Sequence, residues 1–253
     1  MENIIMDINI KDNFILLWRK YFNNADLPVT FYYTDEEGHA KPVKPGVTNR
    51  CVIGALSGVR RGSSLCFDVD SVGCPGGKRY LGFTEGLMPN FEYFLSCGIP
   101  GELEGERYKK SPEIVKESMK HWPVFKAAGR FIVFKRWDML EEADSPEVVI
   151  FFAQPDVLSG LFTLASFDEV ESSGVFAPFG SGCSTIVQYP YLETVSERPR
   201  AVIGMFDVSA RPFIPKNVLT FSVPMNKFAR MIENIEESFL ITDSWKRVQK
   251  RIN

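Results

Sequence analysis

The chain has 253 residues, 45% hydrophobic and 24% charged, with a formal net charge of −3, a composition that describes a folded protein able to bury a core without disulfide staples. Its 29 basic and 32 acidic side chains set up no field to gather a polyanion, so no nucleic-acid partner is expected. No run approaches the ~20 apolar residues of a membrane span, no secretory signal opens the chain, and five cysteines in an odd, scattered set (Cys51, Cys66, Cys74, Cys97 and Cys183) suit reduced thiols and a cytoplasmic location away from membranes.

In chain order, Phe14, Leu17, Trp18, Tyr21 and Phe22 fall at helical spacing and predict an amphipathic helix. Residues 29–33, aromatic and β-branched, read as a strand, followed by a polar connection over 35–46. A short helix is expected over 50–59 from Val52, Ala55, Leu56 and Val59, weakened by Gly54 and Gly58. A strand over 65–69 comes next, and then a helix opening at Cys74 and running through Tyr80 and Leu81. Residues 91–95 read as helical and 98–110 as a glycine- and charge-rich loop able to act as a lid. Ser111-Pro112-Glu113 is a helix start, with a hydroxyl cap, a proline at a position that needs no N–H and an early acid; that helix should end near Lys120.

Beyond it, 130–134 and 148–152 read as strands, the second continuously apolar as a strand covered on both faces would be. A helix over 155–167, a short strand at 175–177, a helix from Cys183 ending near Pro190, and strands over 202–206 and 218–223 complete the pattern. Phe228, Met231, Ile232, Ile235 and Phe239 mark one more amphipathic helix, and Ser244 is placed to cap a terminal one. The predicted fold is α+β or α/β, a mixed sheet covered by amphipathic helices in a single globular domain over 1–253, with room for two lobes at about 1–125 and 126–253. A helix, a short strand and a Gly-Cys-small helix start occur over 51–82 and again over 155–190. This echo allows two related half-units that bring Cys74 and Cys183 to a shared cleft, although chance is the simpler account.

The residues able to carry chemistry cluster in two places. In Gly73-Cys74-Pro75-Gly76-Gly77-Lys78-Arg79, Pro75 suits the first turn of a helix, Gly76 and Gly77 permit close approach, and free N–H groups with Lys78 and Arg79 would attract an anion beside a nucleophilic Cys74. In Gly180-Ser181-Gly182-Cys183-Ser184-Thr185, the backbone at Gly182 and the hydroxyls of Ser184 and Thr185 would do the same beside Cys183. The plain alternative is two tight turns with small buried thiols. His39 and His121 are the only histidines, and neither lies in a context that makes it a base for a thiol. Arg211 and the Arg60-Arg61 pair are further anion-binding candidates.

Three functions follow: binding of, or catalysis on, a small anionic molecule between Cys74 and Cys183; thiol redox or iron–sulfur chemistry, with Cys66, Cys74 and Cys183 as the metal set although no local ligand spacing supports it; and a non-catalytic interaction module, with homodimerisation left open. No cofactor is identified. The sequence also resembles the family of domain of unknown function 169, uncharacterised proteins of bacteria and archaea. The resemblance rests on the helix around Arg50 and Cys51, on Cys74-Pro75-Gly76-Gly77 with Leu81-Gly82, on residues 148–152, and on Cys183-Ser184 followed by Tyr189-Pro190-Tyr191. It implies that Cys74, Gly76, Gly77 and Cys183 are motif positions, and it brings no reaction with it.

Overall fold

The computed structural model describes residues 8–44 and 51–252; Arg50, where the second helix was expected to begin, lies outside them. Among the described residues eight strands form one mixed sheet: β1 (Val29–Thr34), β2 (Lys41–Pro42), β3 (Leu65–Phe67), β4 (Phe131–Arg136), β5 (Val148–Ala153), β6 (Val175–Phe176), β7 (Ala201–Gly204) and β8 (Leu219–Pro224). Their order is β2-β3-β4-β1-β5-β8-β7-β6. Outward from the centre, one side reads β1, β4, β3, β2 and the other β5, β8, β7, β6, so the two halves have the same connectivity.

Strand directions repeat as well. In each half the inner two neighbour pairs are antiparallel and the outermost pair is parallel. The halves meet through Val29↔Ile150, Thr30↔Val149 and Phe31↔Val148, a register centred on the Thr30↔Val149 pair. A parallel pair needs a crossover, and each half supplies a helical one. In the first it is α2 (Val52–Arg60), and in the second a π-helical turn, Ser184–Gln188, that continues into α7 (Tyr189–Glu193). Cys51 and Cys183 are the residues that precede these two crossovers. The half-units are thus paired differently from the sequence echo: Cys183 corresponds to Cys51, while Cys74 precedes α3 (Pro75–Tyr80), whose place in the second half is held by a 3-10 turn, Arg211–Phe213.

Alternation along the strands fixes the two cores. Val149, Phe151, Phe221 and Val223 face α1 (Ile8–Phe22), α6 (Pro155–Ala165), α8 (Met225–Asn234) and α9 (Asp243–Gln249). There the stripe expected of α1 packs as drawn, with Trp18 stacked on Phe22 at 4.2 Å. Phe31, Phe134, Val148 and Ile150 face the other way, against Ile53, Leu56 and Val59 of α2 and Ile186 and Val187 of the π turn. The first half also carries an insertion between β3 and β4 that holds α3, α4 (Phe91–Phe94) and α5 (Pro112–Met119); Ser111 caps α5 through the Ile114 N–H, as its sequence predicts.

Three local expectations change. Residues 35–46 were read as connection only, yet Lys41–Pro42 forms the edge strand β2, too short for a period to appear. The helix expected to end near Pro190 continues to Glu193, because the proline sits in the first turn of α7, directly after the π turn, where its missing N–H costs little. The last helix is capped by Thr242, whose hydroxyl accepts from the Trp245 N–H, rather than by Ser244.

A buried carboxyl, Asp144, and a half-buried one, Glu147, give the fold opposite responses to pH. Asp144 is fully buried and takes hydrogen bonds from Lys135 Nζ at 2.8 and 3.0 Å and from the Tyr32 hydroxyl. Burial alone would raise its pKa, but these donors outweigh it and hold the carboxyl below its ordinary value. Its stabilisation is complete above the unfolded value, near 4, and is lost as pH falls through the lower folded one. Burial of Glu147, against the opposing N–H of Tyr33 and hydroxyl of Tyr191, pushes that carboxyl up to about 7. Stability it contributes in the protonated form therefore declines as pH rises from the unfolded value toward about 7. In urea titrations Asp144→Asn should cost about 3 kcal/mol at pH 7, since it leaves the buried Lys135 with the exposed Glu141 as its one anionic partner, whereas Glu147→Gln should be more stable than the parent at pH 8 and no more stable at pH 5. A flat pH response of the Glu147→Gln difference would contradict the assignment.

Candidate functional site

Where the two crossovers approach each other, the sheet face that carries Phe31 and Phe134 supports a cavity of about 370 Å3. The first half contributes Cys51 and Ile53 at the start of α2 and Cys74, Gly76, Gly77 and Tyr80 around α3. The second contributes 180–184, Gln188, Tyr189 and the loop 206–210 after β7. The insertion supplies a wall of Leu87, Met88, Phe91, Phe94, Tyr108 and Trp122. Lys109 of that insertion lies 4.4 Å from the ring centroid of Phe179, which joins the wall to the second half.

Cys74 and Cys183, 109 positions apart in the chain, therefore do line one hollow, and Cys51 joins them. Their environments differ. Cys183 is buried, and burial first, then the nearby Cys51, Cys74 and Asp207, raise its thiol well above the ordinary range. Burial also raises Cys51, against hydrogen bonds from the Ile53 and Gly54 N–H groups. Cys74 is exposed, and its Sγ accepts from the Gly77 N–H at 3.4 Å as the cap of α3.

The donors expected to grip an anion are in large part already engaged. The Gly77 N–H goes to Cys74, the Ser184 N–H to Ser181 Oγ at 3.1 Å, and the Gly182 N–H to Asp207 Oδ2 at 3.0 Å. Asp207 Oδ1 also accepts from the N–H and hydroxyl of Ser209. The negative charge at the second glycine turn is thus a side chain of the protein. This turn is held tightly: a Cβ on Gly182 would lie 3.0 Å from Ala210 and 3.1 Å from Met205, and Met205 itself has a left-handed backbone at φ 72°. The π turn that follows is a rare conformation that recurs at functional sites.

Of the residues predicted for the site, Cys74, Gly76, Gly77, Gly182, Cys183 and Ser184 line the cavity, and Lys78, Arg79 and Thr185 do not. Arg79 donates to the Glu85 carbonyl, and Thr185 bridges Gly182 O and the Met205 N–H beneath the turn. Cys66 leaves the proposed metal set, because strand alternation sends it to the opposite face of the sheet with Tyr32, Phe131 and Val133. Among the described residues no three His, Cys, Asp or Glu side chains are placed to share a metal ion. His39 contacts Tyr32 and Glu36, and His121 lies near Glu117; neither lines the cavity. Arg211 donates to the carbonyls of Lys216 and Val218, and Arg60 pairs with Asp26 at 2.7 Å.

Sequence reasoning missed Cys51, Asp207 and the aromatic wall. One signal was present for Asp207: the tripeptide Phe-Asp-Val occurs twice, at 67–69 and 206–208. Each time the carboxylate accepts backbone N–H groups ahead, Asp68 from Asp70 and Ser71 and Asp207 from Ser209, and so turns the chain after β3 and β7. On limited treatment of the native protein with iodoacetamide, mass spectrometry should find Cys74 labelled early together with the exposed Cys97, Cys51 more slowly and Cys183 last. Labelling of Cys183 as fast as Cys74 would contradict the placement of these thiols.

No helix among the described residues is long and apolar enough to cross a membrane. No curated protein and no solved structure matches the chain. The model of domain of unknown function 169, described as Uncharacterised ArCR, matches residues 20–234. That match spans all eight strands of the sheet and every residue that lines the cavity, and the chain belongs to this uncharacterised family.

Proposed function

We propose that the protein binds a small, predominantly apolar molecule in the cavity where the helical crossovers of the two half-units meet, with the exposed Cys74 and the less accessible Cys51 and Cys183 in its lining. The observation that carries this reading is the convergence of three thiols, distant in sequence, on one hollow walled by aromatic and aliphatic side chains. Its size and lining suit a small-molecule site, in which apolar contact supplies affinity and a few fixed polar groups set orientation. The small anionic ligand expected from the sequence loses its support, since Lys78 and Arg79 stand outside the lining and Asp207 occupies the glycine turn. The iron–sulfur alternative lacks a converging ligand set among the described residues.

A neutral fluorescent probe, N-phenyl-1-naphthylamine, tests this directly. Its emission should rise on mixing with the protein. Gly76 offers a way to fill the hollow without harming the fold, since a Cβ there meets only Cys74 Sγ and the Tyr80 ring, at 3.8 Å or more, and leucine suits a helix better than glycine. Gly76→Leu should weaken probe binding about tenfold while keeping the parent's melting temperature. An absence of any emission change with the parent protein would remove the proposal.

A further inference from the structure

The charge of the cavity narrows the chemistry of its occupant. Two carboxylates, Glu106 and Asp207, are among the lining residues, and among the described residues no lysine, arginine or histidine is. Glu106 comes from the insertion and Asp207 from the loop after β7, so the acids reach the hollow from both half-units. Two neighbouring cations are already engaged: Arg79, beside Tyr80, donates to the Glu85 carbonyl, and the Lys109 ammonium lies over the ring of Phe179, itself a lining residue. Asp207 lies close enough to add to what burial does first: it helps raise the thiols of Cys51 and Cys183 and the phenol of Tyr108, while at Tyr80 the charge of Arg79 opposes it.

The rings of Tyr80, Phe91, Trp122 and Tyr189 line the same hollow. The face of an aromatic ring carries negative charge and attracts a cation, most strongly one with a diffuse, weakly hydrated charge. An apolar wall also lowers the local dielectric, which strengthens attraction to the carboxylates and penalises an anion that brings a charge of the same sign. A neutral molecule would leave the Glu106 carboxylate without an opposite charge at the wall, whereas Asp207 already accepts from Gly182 and Ser209 and would gain only a counter-charge from a cation. A strongly hydrated ion such as a bare primary ammonium would lose its water against a mostly hydrocarbon lining.

We propose that the ligand is an apolar organic cation, an alkylated ammonium whose substituents fill the aromatic part of the hollow while its charge lies toward Glu106 and Asp207. This assignment rests on the binding reading above and specifies the chemical class of the molecule. It reverses the sign of charge that the glycine-rich motifs suggest when read as open anion sites.

The test compares three probes of similar shape by isothermal titration calorimetry: phenyltrimethylammonium, its neutral isostere tert-butylbenzene, and benzoate. The ammonium should bind about tenfold more tightly than the isostere, benzoate should bind weakest, and added salt should narrow the gap. Glu106→Gln, at an exposed position where the change leaves packing intact, should reduce ammonium affinity severalfold and leave that of tert-butylbenzene unchanged. Equal or tighter binding of the isostere or of benzoate would overturn the assignment, as would failure of all three probes while N-phenyl-1-naphthylamine still binds. Failure of the naphthylamine too would remove the binding reading itself, and the two results are thereby distinguishable.

Discussion

Three residue pairs at the centre of the sheet, Val29↔Ile150, Thr30↔Val149 and Phe31↔Val148, are the only β pairing between the half-sheets among the described residues. Each half carries its own antiparallel pairs, six residues long between β1 and β4 and six between β5 and β8, but neither half alone has a site. Because β1 and β5 run in opposite directions with a register centred on one pair, the half-sheets are related as by a rotation about that pair. The rotation leaves both crossovers on one face, where α2 touches the 3-10 turn of the other half and α3 touches the π turn. The cavity is a product of that reciprocal contact. A slip of one residue at the junction would exchange the two faces of one half and remove it.

Much of the fold was legible because its signals are local. Aromatic spacing in residues 14–22 gave α1, the unbroken apolar run gave the doubly covered β5, and Ser111-Pro112-Glu113 gave the start of α5. The duplication was harder to see. The halves share connectivity and not length: the first places its long insertion after β3, and the second places α6 before β6. A linear comparison of patterns therefore aligned Cys74 with Cys183, when strand order aligns Cys51 with Cys183.

At the site, the glycine turns were legible as close approaches and misleading as anion sites. Small residues around Gly182 do expose backbone donors, but whether those donors are free depends on Asp207, which lies 25 positions further on. The same holds for Cys74, whose own sulfur takes the Gly77 N–H that a ligand would have needed. Sequence spacing reports the supply of donors near a turn. Their acceptors are set by tertiary structure, and in both turns the chain provides them.

The π turn at Ser184–Gln188 has an evolutionary consequence. Such a turn holds one residue more than the α-helical turn it replaces and absorbs it locally, whereas the same residue added to a regular helix would rotate one end by about 100° against the other. Cys183 and the glycine turn on one side and α7 on the other therefore keep the faces they would have in an unbroken helix. A one-codon change of length at this point is taken up by the crossover itself, and the strands on either side do not register it.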